Sequence, residues 1–177
     1  LAYLEGAVED ITERKRAEER AQSERQRLQV LVDTSPVGVF VVEAATKRVV
    51  LVKQEAERIL GFAHQPEDLL EQYERAIVYR RPDGRVYLPE ELPLQRALYF
   101  GESVRAEEVR FEFPDGYSVL ILANATPVYS ADGWITEAIG VIQDITPLEE
   151  AEKLRNEFLG IVSHELRTPL TAIKGSA

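Results

Sequence analysis

The sequence predicts an α+β domain: a five-stranded antiparallel sheet with helices on one face, flanked by a long charged helix at each end. Three observations predict it. Five short runs rich in Val, Ile, Phe and Tyr are separated by turn signals. The helical segments within the domain all fall between the second run and the third, so short helical crossovers cannot join the strands into a parallel sheet. A charged helical pattern with sparse apolar positions precedes the strands, and another follows them.

Composition limits the chemistry. The chain has 177 residues, 45% hydrophobic and 29% charged, which is enough for a packed core. A net charge of -10 argues against a nucleic-acid partner or an anionic membrane surface, both polyanions themselves. With no cysteine, disulfides, thiol nucleophiles and thiolate metal sites are excluded. No apolar run approaches the ~20 residues of a membrane helix, so no membrane contact is expected of this segment. A start at Leu1 and an end at Ala177 fit a piece of a longer protein that could carry membrane segments elsewhere.

Taken in order, the elements are as follows. "GAVEDITERKRAEER" from Gly6 reappears in altered form as "GVIQDITPLEEAEKL" from Gly140, sharing Asp-Ile-Thr. Since the second copy ends an apolar strand, residues 1–12 are expected to be the tail of a preceding domain's last strand. Residues 13–33 read as a connecting helix with Ala17, Ala21, Glu24, Leu28 and Leu31 at heptad spacing, suited to pairing with a second copy. One amphipathic helix packed on its own domain is the other reading of that pattern. "VGVFVV" and "RVVLVK" are paired strands, "QEAERIL" is a helix closed by Gly61, and short helices follow around Glu67 to Glu74 and Leu92 to Phe100. Val109, Phe111 and Phe113 then alternate with polar residues, "PDG" turns the chain into "YSVLILANATPVY", and "ADG" turns it again into "WITEAIGVIQDIT". Thr146 or Asp144 is placed to cap the final helix, with Pro147 in its first turn.

A pocket between helices and sheet is expected, with Phe40, Tyr99, Phe111 and Trp134 as candidate lining; aromatic residues at such spacings also serve as plain core. On the last helix, Leu159, Val162, Leu166, Leu170 and Ile173 share one stripe at ~100° per residue, and His164 lies on the other side. A zinc-protease motif would need a second histidine four residues on, but Thr168 stands there.

From about Thr34 to Thr146 the chain resembles the PAS sensor domain, through "SPVGVFVV", "QEAERILGF", "PLQRALYFGE", the strands around "PDG" and the closing "GVIQDIT". The resemblance implies a five-stranded antiparallel sheet, dimerization through flanking helices, and variable ligands; residues 1–12 would then be the tail of a preceding PAS-like domain. The pocket's cofactor is left unknown. The cysteine-linked flavin and chromophore subclasses are excluded by composition, and haem is not expected, since "LPLQRALYFGE" lacks the family's histidine and His64 reads as a loop residue.

"FLGIVSHELRTPL" resembles the phosphoacceptor box of sensor histidine kinases from Phe158 through Ser163 to Leu170. That resemblance implies His164 as the phosphorylated residue, Glu165 as its acid-base neighbour and Thr168 as the residue that positions water for dephosphorylation of the response regulator. Residues 147–177 are accordingly the output helix and the start of the phosphoacceptor domain. ATP and Mg belong to a catalytic domain outside these residues, since no phosphate-cradling glycine loop is present, and this chain alone is expected to be inactive. The implied whole is the sensor portion of a cytoplasmic two-component histidine kinase. It would work as a homodimer with a response regulator receiver domain as partner and a small molecule as a further ligand, and Asp144, Ile145 and Thr146 would relay the signal. The alternative is a non-catalytic PAS dimerization module with an idle histidine box.

Overall fold

The computed structural model describes residues 2–65 and 67–174, with side chains at residues 11, 13–65 and 67–162. It divides into two compact units, residues 1–36 and 37–177. The first is one helix, α1 (Ala2–Thr34). Every described side chain of α1 is exposed. The helix ends on its own carbonyls: Thr34 Oγ1 donates to Val30 O at 2.8 Å, Ser35 Oγ donates to Leu31 O at 2.8 Å, and Pro36 follows.

This corrects the expectation of a strand tail over residues 1–12. Ala2, Leu4, Glu5, Ala7 and Glu9 are good helix formers. As part of α1, Asp-Ile-Thr at 10–12 has its backbone groups satisfied within the helix.

The second unit carries an antiparallel sheet ordered β2-β1-β6-β5-β4-β3. Its strands are β1 (Gly38–Glu43), β2 (Val49–Val52), β3 (Val78–Arg80), β4 (Val104–Glu112), β5 (Ser118–Tyr129) and β6 (Ile135–Asp144). The sheet therefore has six strands, not five. The addition, β3, is three residues long, too short to show a period, and it extends the edge by pairing Tyr79 with Phe111 of β4. Helices α2 (Gln54–Leu60) and α3 (Leu70–Ala76) follow β2, α4 (Pro93–Phe100) follows β3, and Gly61 closes α2 in the left-handed region at φ 77°.

Strand alternation makes the core. Val42, Val109, Val119 and Ile121 are almost wholly buried, each worth about 1.5–3 kcal/mol on burial. Two glycines allow close packing. A β-carbon at Gly38 would lie 2.7 Å from Ala56 Cα, so only bare backbone lets α2 settle on β1. At Gly140 a methyl would overlap the ring of Phe40, its carbon only 2.4 Å from the nearest ring atom. From β6 the chain passes directly into α5 (Thr146–Lys174).

Candidate functional site

The side chains that alternation turns inward enclose a cavity of about 70 Å³ between the helices and the sheet. Phe40 and Phe111 line it, with Leu94, Val109 and Ile142, and among the described residues no charged side chain does. Its polar groups are few. Gln95 is 3% exposed, and its Nε2 donates to Glu74 Oε1 at 2.6 Å. Tyr79 packs edge-on to Phe111 with ring centroids 5.0 Å apart and donates its hydroxyl to the Tyr73 carbonyl at 3.1 Å. Burial pushes the Tyr79 hydroxyl pKa well up, so it acts as a neutral donor. A small uncharged molecule is what such a wall can hold, because a charge would find no partner in it.

Two expected lining residues are corrected. Tyr99 is 47% exposed and turns outward, with Lys47 Nζ 4.5 Å from its ring centroid. Trp134 is 77% exposed and sits in the turn before β6. In α4 the buried residues are Pro93, Leu94, Gln95, Ala97 and Leu98, and Tyr99 falls outside the arc they span at ~100° per residue. His64 is a loop residue, half buried, with Nδ1 2.9 Å from the Tyr73 hydroxyl and 3.5 Å from Asp68 Oδ2. Among the described residues no group of three or more His, Asp or Glu could hold a metal ion.

The second part of the site is the root of α5. Ile145 N donates to Leu120 O at 2.9 Å, and Leu120 N donates to Thr146 Oγ1 at 2.8 Å, so the chain leaving β6 is hydrogen-bonded across β5 before the helix begins. Thr146 N donates to Asp144 Oδ1 at 2.9 Å, while Leu148 N and Glu149 N donate to Ile145 O. The division of labour is specific: Asp144 receives the first helical amide, and the Thr146 hydroxyl serves the strand, not the helix. Glu149 Oε1 accepts from Arg110 Nη2 at 2.8 Å and lies 3.3 Å from Lys153 Nζ. The Arg110 hydrogen bond above all holds the Glu149 carboxyl below the usual glutamate range.

Farther along α5, Leu154, Phe158 and Ile161 are exposed at spacings of four and three, with 63% to 67% of each residue open. His164, Glu165 and Thr168 fall on α5 by chain position, but their side chains lie outside the described residues. Asp144, Ile145 and Thr146 lie at the junction of β6 and α5, and Phe40 and Phe111 both line the cavity. Sequence reasoning missed Gln95, Tyr79, Arg110 and Glu149. Only Arg110 carried a signal, since alternation in β4 turns it away from its inward neighbours Val109 and Phe111.

Among the described residues no helix is long and apolar enough to cross a membrane. Comparison with known proteins gives consistent matches. The PAS fold family profile matches residues 26–145, and that of the His Kinase A (phospho-acceptor) domain matches residues 154–177. Over 157 residues the chain is 26% identical to the sensor protein kinase WalK of Staphylococcus haemolyticus (strain JCSC1435), covering 89% of this chain but 23% of that protein. The chain thus spans under a quarter of that curated relative. Among solved structures, an RNA-binding Light-Oxygen-Voltage receptor superposes with a TM-score of 0.53 at 18% identity, over 80% of this chain and 38% of the other. The PAS domain of the fruit-fly ELK potassium channel gives 0.51 at 14% identity, over 68% and 96%.

Proposed function

This chain belongs to the PAS fold family, and from that premise we propose that it is the sensor segment of a cytoplasmic two-component histidine kinase that works as a homodimer. The observation that carries the reading is the direct passage of β6, which walls the cavity at Gly140 and Ile142, into the helix that bears His164. A change in cavity occupancy or in the sheet alters the set of α5 through Asp144, Ile145 and Thr146, and with it the presentation of His164.

In the proposed reaction the His164 imidazole attacks the γ-phosphorus of ATP. The N–P bond forms as the bond to the β,γ-bridging oxygen breaks, ADP leaves, and Glu165 takes the imidazole proton. Thr168 positions the water that later hydrolyses the phosphorylated receiver domain. ATP and Mg are held by a catalytic domain outside these residues, so this chain alone transfers nothing. The spaced apolar positions between Leu148 and Val162, with Ala17 to Leu31 of α1, supply the parallel dimer contact.

With an ATP-binding domain supplied in the longer protein or in trans, His164→Gln is expected to abolish acid-labile labelling while the dimer persists. Thr168→Ala is expected to keep autophosphorylation and slow dephosphorylation of the receiver. Label that survives in the glutamine variant, or maps elsewhere, defeats the reading. A small-molecule ligand would appear in native mass spectrometry of the purified chain as a defined mass increment.

A further inference from the structure

The root of α5 meets the sheet at one cross-strand pair. Arg110 of β4 lies opposite Leu120 of β5, and Leu120 already accepts from Ile145 N through its carbonyl and donates through its amide to Thr146 Oγ1. The third attachment comes from the other member of the same pair, Arg110 Nη2 to Glu149 Oε1 at 2.8 Å. Both side chains are about three-quarters covered, at 31% and 25% exposed, which spares the pair much of the screening that weakens surface ion pairs.

Arg110 also has informative neighbours. Val109 and Phe111, on either side of it, point the other way and wall the cavity, at 1% and 6% exposed. A shift of β4 that accommodates a cavity occupant must therefore move the guanidinium on the opposite face. Glu149 belongs to the first turn of α5, where a small displacement turns the whole helix. Lys153, one turn along, also faces Glu149, so the carboxylate keeps a partner of opposite charge whether or not Arg110 holds it. That lowers the cost of letting go.

We infer that Arg110 is a positioning residue: through its ion pair with Glu149 it fixes the first turn of α5 to strand β4 and so couples the cavity wall to the helix that carries His164. The coupling to His164 rests on the function proposed above; the attachment of the helix root does not. Nothing in the chain's repeats or motifs marks this pair, whose members are 39 residues apart.

The test is amide hydrogen exchange over residues 146–153 in the 177-residue chain. Arg110→Glu and Glu149→Arg are each expected to speed exchange there by about five-fold, as loss of a half-buried pair at a helix end should. Arg110→Glu, Glu149→Arg and Lys153→Glu combined reverse all three charges and should return exchange to within about two-fold of the unmodified chain, since coupled sites are not additive. A misfolded single variant could not be rescued this way. Single variants that leave exchange unchanged, or a reversed set that fails to restore it, overturn the inference.

In the longer protein with its ATP-binding domain, the single variants should shift the rate of His164 labelling and the reversed set should restore it. Exchange that responds while labelling does not would overturn the positioning role and leave the phosphoacceptor assignment standing. Absence of label at His164 in the unmodified protein would defeat that assignment and leave the exchange result to decide the attachment alone.

Discussion

The two long helices, α1 and α5, have similar charge-rich sequences and quite different footings. Along α1 every described side chain from Glu13 to Thr34 is open, and the helix closes on its own carbonyls through Thr34 and Ser35. At α5 the first turn is joined to β5 and β4 by Ile145, Thr146 and Glu149, while Leu148, Leu154, Phe158, Leu159 and Ile161 remain open. Exposed apolar residues at heptad spacing ask for a second helix in both cases, and α5 is tied by named bonds to strands that wall the cavity. A helix with a sheet-bound root can report on that sheet.

The largest effect on this contrast should come from the sheet beneath the root. Gly140→Val is expected to force the Phe40 ring off β6 and cost about 1–3 kcal/mol of stability in chemical denaturation, as overpacking does. Next, Thr146→Val removes the acceptor for Leu120 N and is expected to cost about 1–2 kcal/mol, with faster exchange at the start of α5 and no change in α1. If α1 responds equally, the two footings are not distinct.

Leu28→Glu with Leu31→Glu tests the other half. Both residues are more than half exposed, so chain stability should move by no more than about 0.5 kcal/mol while sedimentation shows weaker self-association. The smallest effect concerns pH. The folded-state pKa of Glu149 is depressed, so its contribution is complete above the ordinary glutamate pKa and is lost as pH falls through the depressed value. Protection at residues 146–149, corrected for intrinsic exchange, should fall on that acid side and stay level between pH 6 and 8.

Much of this was legible in the sequence because period and turn chemistry agree. β4 and β5 show inward alternation, and "PDG" forms the hairpin in which Phe113 N meets Tyr117 O at 2.9 Å. The rest depended on context. Asp-Ile-Thr carries β6 into α5 at 144–146, where β5 is beside it, and lies within α1 at 10–12. β3 is three residues long and shows only through its partner. Phe40 and Phe111 reached the cavity because strands fix their faces, whereas Tyr99 near a helix end and Trp134 in a turn had no such constraint. The Arg110–Glu149 pair needed the fold, since it joins a strand to a helix that returns across that strand's neighbour.

The most direct measurement fills the cavity and listens at the helix root. Ala123 is 5% exposed and lines the cavity, so Ala123→Leu places three more carbons in a space of about 70 Å³ without touching α5. Hydrogen exchange is then compared between residues 146–149 and residues 13–31. A sheet that drives α5 predicts a change of at least about three-fold at 146–149 with residues 13–31 unmoved, the range of local opening that a fraction of a kcal/mol produces. Exchange that stays constant in both segments, or shifts alike in both, would contradict it.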